Sequence, residues 1–313
     1  MRIVIAGGTG FLGSPLAEGY AEEGHDVRVL TRGLKPGESR HESGTGVPGV
    51  TRVGWDPARS GPWEPVIDGA EAVVNLTGAD IGRGRWTPQR KALIRDSRII
   101  PTKTLAAAIR KAANPPQVFV SGSGVGYYGA SLEGDVKTER SSAGSDFLAR
   151  VCTDWEAEAQ QAASASTRVV TLRTAMVVER GGGALQKLVT PYRFFVGGRV
   201  GSGRQYMSWI HRVDWIEMVR WIVDTRALTG AVNAAAPVPV TNREFARALG
   251  HALRRPAVVP TPGIALKIAL GEMADSLVLT GQRAVPERAL SHGFHFRYPE
   301  IDLAFRGIFG ERA

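Results

Sequence analysis

The chain has 313 residues, 43% of them apolar and 22% charged, a balance that suits a folded globular protein and excludes disorder over its whole length. Its single cysteine, Cys152, excludes an internal disulfide and a cysteine-based zinc site. The net charge of +9 raises nucleic acid as a partner, but the surplus is spread over both halves and builds no basic arm, so no nucleic-acid partner is expected. No apolar run reaches the ~18 residues of a membrane span, and the short run Met1–Ala6 is below the length of a signal-peptide core, so the expectation is no membrane partner and a cytoplasmic location.

In chain order, Arg2–Ala6 reads as a buried strand and Phe11–Glu23 as a helix with apolar positions at Leu12, Leu16, Ala17 and Tyr20. Asp26–Leu30 is a second strand, and residues 33–62 a loop-dominated excursion with one short strand at Thr51–Gly54. There follow a strand at Ala72–Leu76, a helix at Ser97–Lys111, a strand at Gln117–Ser121, a helix at Phe147–Ala163 and a strand at Arg168–Arg173. Such alternation predicts parallel strands with right-handed crossovers, an α/β doubly wound sheet. Residues 174–209 hold three Gly-rich turns and no clean period. Val213–Asp224 reads as a helix and Gly230–Ala235 as a returning strand. Beyond Pro237 come a helix at Asn242–Leu253, a turn at Pro256–Pro262 and a helical stretch near Ile264–Leu279.

The strongest motif is Gly7-Gly8-Thr9-Gly10-Phe11-Leu12-Gly13, between the first strand and the first helix. Glycines there permit a tight turn and a close approach of backbone to pyrophosphate, and the N–H groups opening the helix face the anion. Where an NAD site carries an acid after the second strand, this chain has Thr31-Arg32, and no acid until Glu38. A guanidinium there suits the extra 2′-phosphate, so the expected cofactor is NADP(H).

These segments resemble the extended short-chain dehydrogenases/reductases. Leu76-Thr77-Gly78 is similar to the segment after their fourth strand, and Ser121–Gly129 to their active-site strand end. More narrowly, Arg85-Trp86-Thr87, Asp96-Ser97-Arg98, Trp155-Glu156, Gly181–Leu185, Gly201–Gln205, Ser208–His211 and Gly293–Phe296 resemble epimerase-family proteins with a C-terminal domain of unknown function. The resemblance implies a Rossmann-like cofactor domain over 1–173 and 210–236, and a smaller α/β substrate domain over 174–209 and 237–313. It also suggests a homodimer through two helices away from the cleft.

The superfamily's Tyr-x-x-x-Lys pair is missing. Four residues after Tyr20, Tyr127, Tyr128, Tyr192, Tyr206 and Tyr298 stand Gly24, Ser131, Leu132, Val196, Ile210 and Asp302. Judged from Trp155-Glu156, the pair would fall near Leu148 and Cys152. The remaining catalytic candidates are Ser123, Tyr127, Tyr128 and Glu139, each with a purely structural alternative as loop plug or turn cap. Arg98 is a candidate for the cofactor phosphates, and Arg204, Gln205 and His211 for the substrate; His211 serves either substrate or the backbone of the helix it opens. Cys152 reads as a buried small hydrophobe. The six histidines show no metal spacing, so no metal is expected. Two functions remain: an NADP(H)-dependent oxidoreductase or epimerase acting on a small polar, anionic molecule, or an NADP(H)-binding sensor without turnover.

Overall fold

The computed structural model describes residues 1–41 and 49–310. Its first part runs β1 (Arg2–Ala6), α1 (Gly13–Glu22), β2 (Asp26–Thr31), β3 (Ser39–His41), β4 (Val50–Gly54), β5 (Ala72–Asn75), α2 (Pro88–Lys111), β6 (Val118–Gly124), β7 (Val136–Lys137), α3 (Phe147–Gln160) and β8 (Arg168–Thr174). It continues with β9 (Met176–Val178), α4 (Gly183–Arg193), β10 (Tyr206–Met207), β11 (Trp209–His211), α5 (Arg212–Asp224) and β12 (Gly230–Ala234). The last part is β13 (Val240–Thr241), α6 (Asn242–Leu253), α7 (Gly263–Leu270), α8 (Glu272–Leu277), β14 (Arg283–Ala284), α9 (Glu287–Ser291) and α10 (Ile301–Phe309).

The central sheet has the order β12-β8-β6-β5-β1-β2-β4-β3, parallel throughout except for β3. The chain winds outward from β1 through β2 to β4, then returns to β5 on the other side of β1. The order therefore reverses beside β1, and the crevice at that switch point is where open α/β sheets hold ligands. Strands buried on both faces need apolar residues throughout, which is why Ile3–Ala6 and Ala72–Val74 are unbroken apolar runs. On one face Leu16, Tyr20, Trp215, Met218 and Ile222 of α1 and α5 cover the sheet. On the other, Leu105 and Ile109 of α2 and Ala159 of α3 do so, with Trp55 and Trp63. Each fully buried large side chain contributes about 1.5–3 kcal/mol of transfer free energy. A separate core joins α4, α6 and α10 through Leu185, Tyr192, Phe245, Leu249 and Phe305.

Several elements depart from the sequence expectation. The first helix begins at Gly13 rather than Phe11, because residues 9–12 form the turn itself. The helix expected from Ser97 begins at Pro88, capped by Thr87, whose side chain accepts from the Arg90 N–H; Pro101 lies inside it. The stretch 174–209 holds β9, α4 and β10, and β11 begins at its last residue, pairing in parallel with β9. The helical stretch near 264–279 breaks at Gly271, which takes φ +62° between α7 and α8. The excursion over 33–62 contains β3 and β4, and its residues 42–48 lie outside the described residues.

Candidate cofactor and substrate cleft

The turn between β1 and α1 sits at the switch point. Gly7 takes φ +81°, and a Cβ there would lie 2.8 Å from the Leu76 carbonyl; one on Gly13 would lie 2.6 Å from Gly8 Cα. Those two glycines are required by the packing of the turn on itself. Gly10 is different. It is exposed, its φ is ordinary, and a Cβ would meet only the Gly7 carbonyl, at 3.3 Å. Its missing side chain opens space toward the outside. The N–H groups of Phe11 and Leu12 donate to no partner among the described residues, leaving donors at the helix start. This cradle fits a dinucleotide pyrophosphate. Phe11 itself turns away, its ring packed against Gly182 and Gly183 and under the Arg212 guanidinium.

Thr31 ends β2, its hydroxyl accepting from the Gly33 N–H at 3.2 Å. Arg32 follows, exposed and with no side-chain partner among the described residues. Glu38, the first acid after it, accepts from the Lys35 N–H and faces Arg40, 3.6 Å away. Thr77 donates to Asn75 Oδ1 at 2.7 Å, and Asn75 donates in turn to Thr102 Oγ1 at 2.7 Å. These bonds hold the segment Leu76-Thr77-Gly78 against the turn.

Arg98 is differently placed than a phosphate ligand would be. Its guanidinium donates to the carbonyls of Ile94 (2.8 Å) and Ala79 (3.0 Å), and it lies against Gly78, where a Cβ would sit 3.0 Å from Cζ. Burial pulls its pKa down. It braces the Gly78 loop. Most of its basic neighbours are likewise tied up. Arg85 donates to the carbonyls of Ile268 and Ala269 at the end of α7, Arg90 to that of Asp80, and Lys91 pairs with Glu272 at 2.6 Å. Lys91 thus ties α2 to α8, and Arg85, just before α2, ties the preceding loop to α7.

Beyond the switch point, a polar row crosses three neighbouring strands. Register sets Ser123 of β6 beside Arg173 of β8, and Arg173 beside Asn233 of β12. Side chains at one level of a parallel sheet share a face. Here that face meets α3, and Glu156 reaches down from it. Arg173 grips Glu156 with two 2.8 Å bonds, Nε to Oε1 and Nη2 to Oε2, the side chains being 5% and 14% exposed. Ser123 Oγ donates to Oε1 at 2.7 Å. Burial opposes the Arg173 charge, but the bonds to Glu156 and Tyr128 outweigh it and hold the pKa above the ordinary arginine value.

The two tyrosines part company. Tyr128 is buried; its hydroxyl donates to Asn233 Oδ1 at 2.6 Å and accepts from Arg173 Nη1 at 3.1 Å. Burial pushes its pKa up to about 12. Its proton is committed inside the fold, so it is a packed bridge rather than a donor to a ligand. Tyr127 is half-buried, its ring lies 3.4 Å under the Arg173 guanidinium, and its hydroxyl has no partner among the described residues. Glu139 is also committed. Its carboxylate accepts from the N–H groups of Asn233 (2.9 Å) and Arg288 (3.4 Å), with burial pushing its pKa up against those bonds.

Of the expected substrate contacts, Gln205 is 1% exposed and donates to the carbonyls of Val200 and Val278, tying the Gly201–Gln205 turn to the C-terminal segment instead of facing a ligand. His211 caps α5, Nδ1 accepting from the Val213 N–H at 3.1 Å, and its ring stacks on Tyr298 at 3.9 Å. Burial, helped by Arg212 and Arg297, pulls it down to about 4, so it is neutral and structural. Arg204 is exposed, with no side-chain partner among the described residues. Cys152 is buried, and desolvation pushes its thiol up to about 11. Among the described residues no cluster of His, Cys, Asp and Glu could hold a metal ion, and no helix is long and apolar enough to cross a membrane. Glu156, Arg173 and Asn233 were not singled out from sequence. The available signal was an arginine near the end of a buried strand, following the apolar Leu172.

The fold and this crevice define a doubly wound α/β protein of the Rossmann type. The profile of the NAD dependent epimerase/dehydratase family matches residues 3–235, and that of a domain of unknown function, DUF1731, matches residues 261–308. The chain therefore belongs to the NAD dependent epimerase/dehydratase family. It is 38% identical over 304 residues to an epimerase family protein of Mycobacterium leprae, covering 96% of this chain and 94% of that one. It is 34% identical to the epimerase family protein YfhF of Bacillus subtilis, covering 100% and 99%. The crystal structure of the human epimerase family protein SDR39U1 with NADPH superposes with a TM-score of 0.87 at 34% identity, over 99% of each chain.

Proposed function

We propose that the chain is an NADP(H)-dependent oxidoreductase or epimerase that acts on a small polar, anionic substrate without a Tyr-x-x-x-Lys pair. The observation that carries this reading is the open cradle at Gly10, with free helix-start N–H groups at the switch point and unpaired Arg32 just beyond β2. The similar human protein was solved with NADPH, which supports the same assignment. The nicotinamide cofactor supplies hydride chemistry; the chain supplies position and charge. Gly7–Gly13 would hold the pyrophosphate, Arg32 the 2′-phosphate, and Thr77 and Gly78 the wall beside them. Ser123 and Tyr127 are the polar groups left to a substrate, and Arg204 is a free cation for its anionic part. We assign residues 174–209 and 237–313 to the substrate side of the cleft. The missing Tyr-x-x-x-Lys pair favours the sensor without turnover as a second reading.

Calorimetry with NADPH and NADH on the wild type and Arg32→Glu tests the proposal. NADPH should bind at least tenfold more tightly than NADH, and Arg32→Glu should abolish that preference. Equal binding of the two coenzymes by the wild type would refute it. Turnover across a panel of carbonyl compounds and nucleotide sugars separates enzyme from sensor.

A further inference from the structure

Helix α4 starts against Phe11, beside the cofactor turn, and its eleven residues carry the chain about 16 Å away from it. At that far end Phe194, Phe195 and Val196 are exposed, yet their N–H groups are all used: those of Phe194 and Val196 donate to the Pro191 carbonyl and that of Phe195 to the Tyr192 carbonyl. The segment that follows lies alongside residues 257–261. The Val259 N–H donates to the Gly197 carbonyl at 3.1 Å, and the Thr261 N–H to that of Arg199 at 2.9 Å. This pairing brings exposed Val258 and Val259 up beside the phenylalanine turn. Directly after Pro262 comes α7, which buries none of its residues and carries Ile264 and Ile268 one helical turn apart. Phe194, Val258, Ile264 and Ile268 are 72%, 78%, 75% and 71% exposed, so they protrude rather than line a groove.

Backbone and charge both single out this surface. Phe195 and Arg254 are the two non-glycine residues with positive φ among the described residues, at +61° and +53°. Arg254 closes α6 in a position that usually belongs to glycine, and such backbone in a residue with a Cβ collects at functional sites. The Arg255 guanidinium lies 4.4 Å over the Phe195 ring. Residues 191–200 and 254–271 carry Arg193, Arg199, Arg254, Arg255 and Lys267, and no acid. Among the described residues only Lys267 of these five has an acidic partner, Asp275 of α8 at 2.9 Å. Protruding apolar side chains among unneutralised arginines complement acyl chains beneath anionic headgroups.

We propose that this face docks on an anionic lipid bilayer, Phe194, Phe195, Val258, Ile264 and Ile268 entering the boundary between headgroups and acyl chains, and Arg193, Arg254 and Arg255 meeting lipid phosphates. A bilayer accepts protruding groups without a matching surface. A second copy seated by the same face would set arginines against arginines, and a nucleic-acid duplex would answer the arginines but offer no apolar medium to the valine and the isoleucines. Docking at a surface needs no spanning helix, and the expectation of no membrane partner was drawn from the lack of a spanning run.

Co-sedimentation of the full-length protein tests this, using phosphatidylcholine vesicles with and without about 30% phosphatidylserine, at about 0.1 M and 0.5 M salt. The wild type should bind the anionic vesicles at least tenfold more tightly than the neutral ones, and that margin should shrink at the higher salt. Phe194→Gln/Phe195→Asn, in which asparagine tolerates the left-handed backbone, should lose at least tenfold on anionic vesicles while keeping the wild-type melting temperature and NADPH affinity. Arg193→Gln/Arg255→Gln should lose a similar factor, most of it at low salt. No binding to anionic vesicles, equal binding to neutral ones, or binding untouched by the phenylalanine variant would overturn the proposal. A dimer in the analytical ultracentrifuge that the phenylalanine variant dissolves would assign the face to a second copy, and retention on duplex DNA that the arginine variant alone abolishes would assign it to nucleic acid; either result also overturns it.

Discussion

Replacing Arg173 by Met isolates the energetics of the polar row. The substitution keeps the length of the side chain and removes both 2.8 Å bonds to Glu156, the bond to Tyr128 and the charge over Tyr127. What remains is a carboxylate 14% exposed, with Ser123 as its one side-chain donor. Breaking a buried pair from one side costs about 3–5 kcal/mol, because a charge is left without its partner, whereas removing both sides is often neutral. Arg173→Met should therefore lower the melting temperature on the order of 10 °C, and Glu156→Leu/Arg173→Met should recover most of the loss. A buried carboxylate stripped of its cation is relieved by taking up a proton. Protonation then favours the folded variant, so its deficit should be smallest at acid pH and grow as pH rises through neutrality. Urea unfolding of the wild type, the single variant and the double variant at pH 5 and pH 8 gives all three comparisons. A single-variant loss below about 1 kcal/mol, or a double variant less stable than the single one, would refute the reasoning.

Two further outcomes follow from the geometry. Gly10→Ala adds a methyl group that the fold tolerates, with one 3.3 Å contact to the Gly7 carbonyl, but that intrudes on the outer cradle. Its melting temperature should stay within about 2 °C of wild type while calorimetric NADPH affinity falls at least tenfold; unchanged affinity would detach Gly10 from the ligand. His211, pulled down to about 4 by burial, stays neutral when folded but gains a proton when unfolded. The wild type should thus lose stability as pH falls from about 6.5 toward 4. His211→Asn, which keeps a side-chain acceptor for the Val213 N–H, should lose less over that window; identical pH profiles would exclude the histidine as the cause.

The parts of the molecule legible from sequence were those written in consecutive residues. Gly7–Gly13 and Arg32 lie within one β-α-β unit, where local turn chemistry and strand ends are set by neighbours in the chain. The polar row was hidden because Ser123, Arg173 and Asn233 come from three strands and meet only through register, with Glu156 supplied by a helix. The start of α2 was obscured by its own function. Arg90, Lys91 and Arg98 disrupt the apolar period because their side chains are tied to the Asp80 carbonyl, to Glu272 and to the carbonyls of Ile94 and Ala79, and Pro101 interrupts the pattern inside the helix. The Thr87-Pro88 pair was the readable start signal. The helix α4 was concealed by glycine at its start and Pro191 near its end.

The border strand β12 has a neighbour, β8, on one side only. On its outer side Glu139 takes the Asn233 N–H, and Arg288 covers the carbonyls of Thr229 and Ala231. Side chains there occupy the ladder positions that an incoming strand would need. Two copies meeting along this rim could not zip into one continuous sheet without first dislodging both residues.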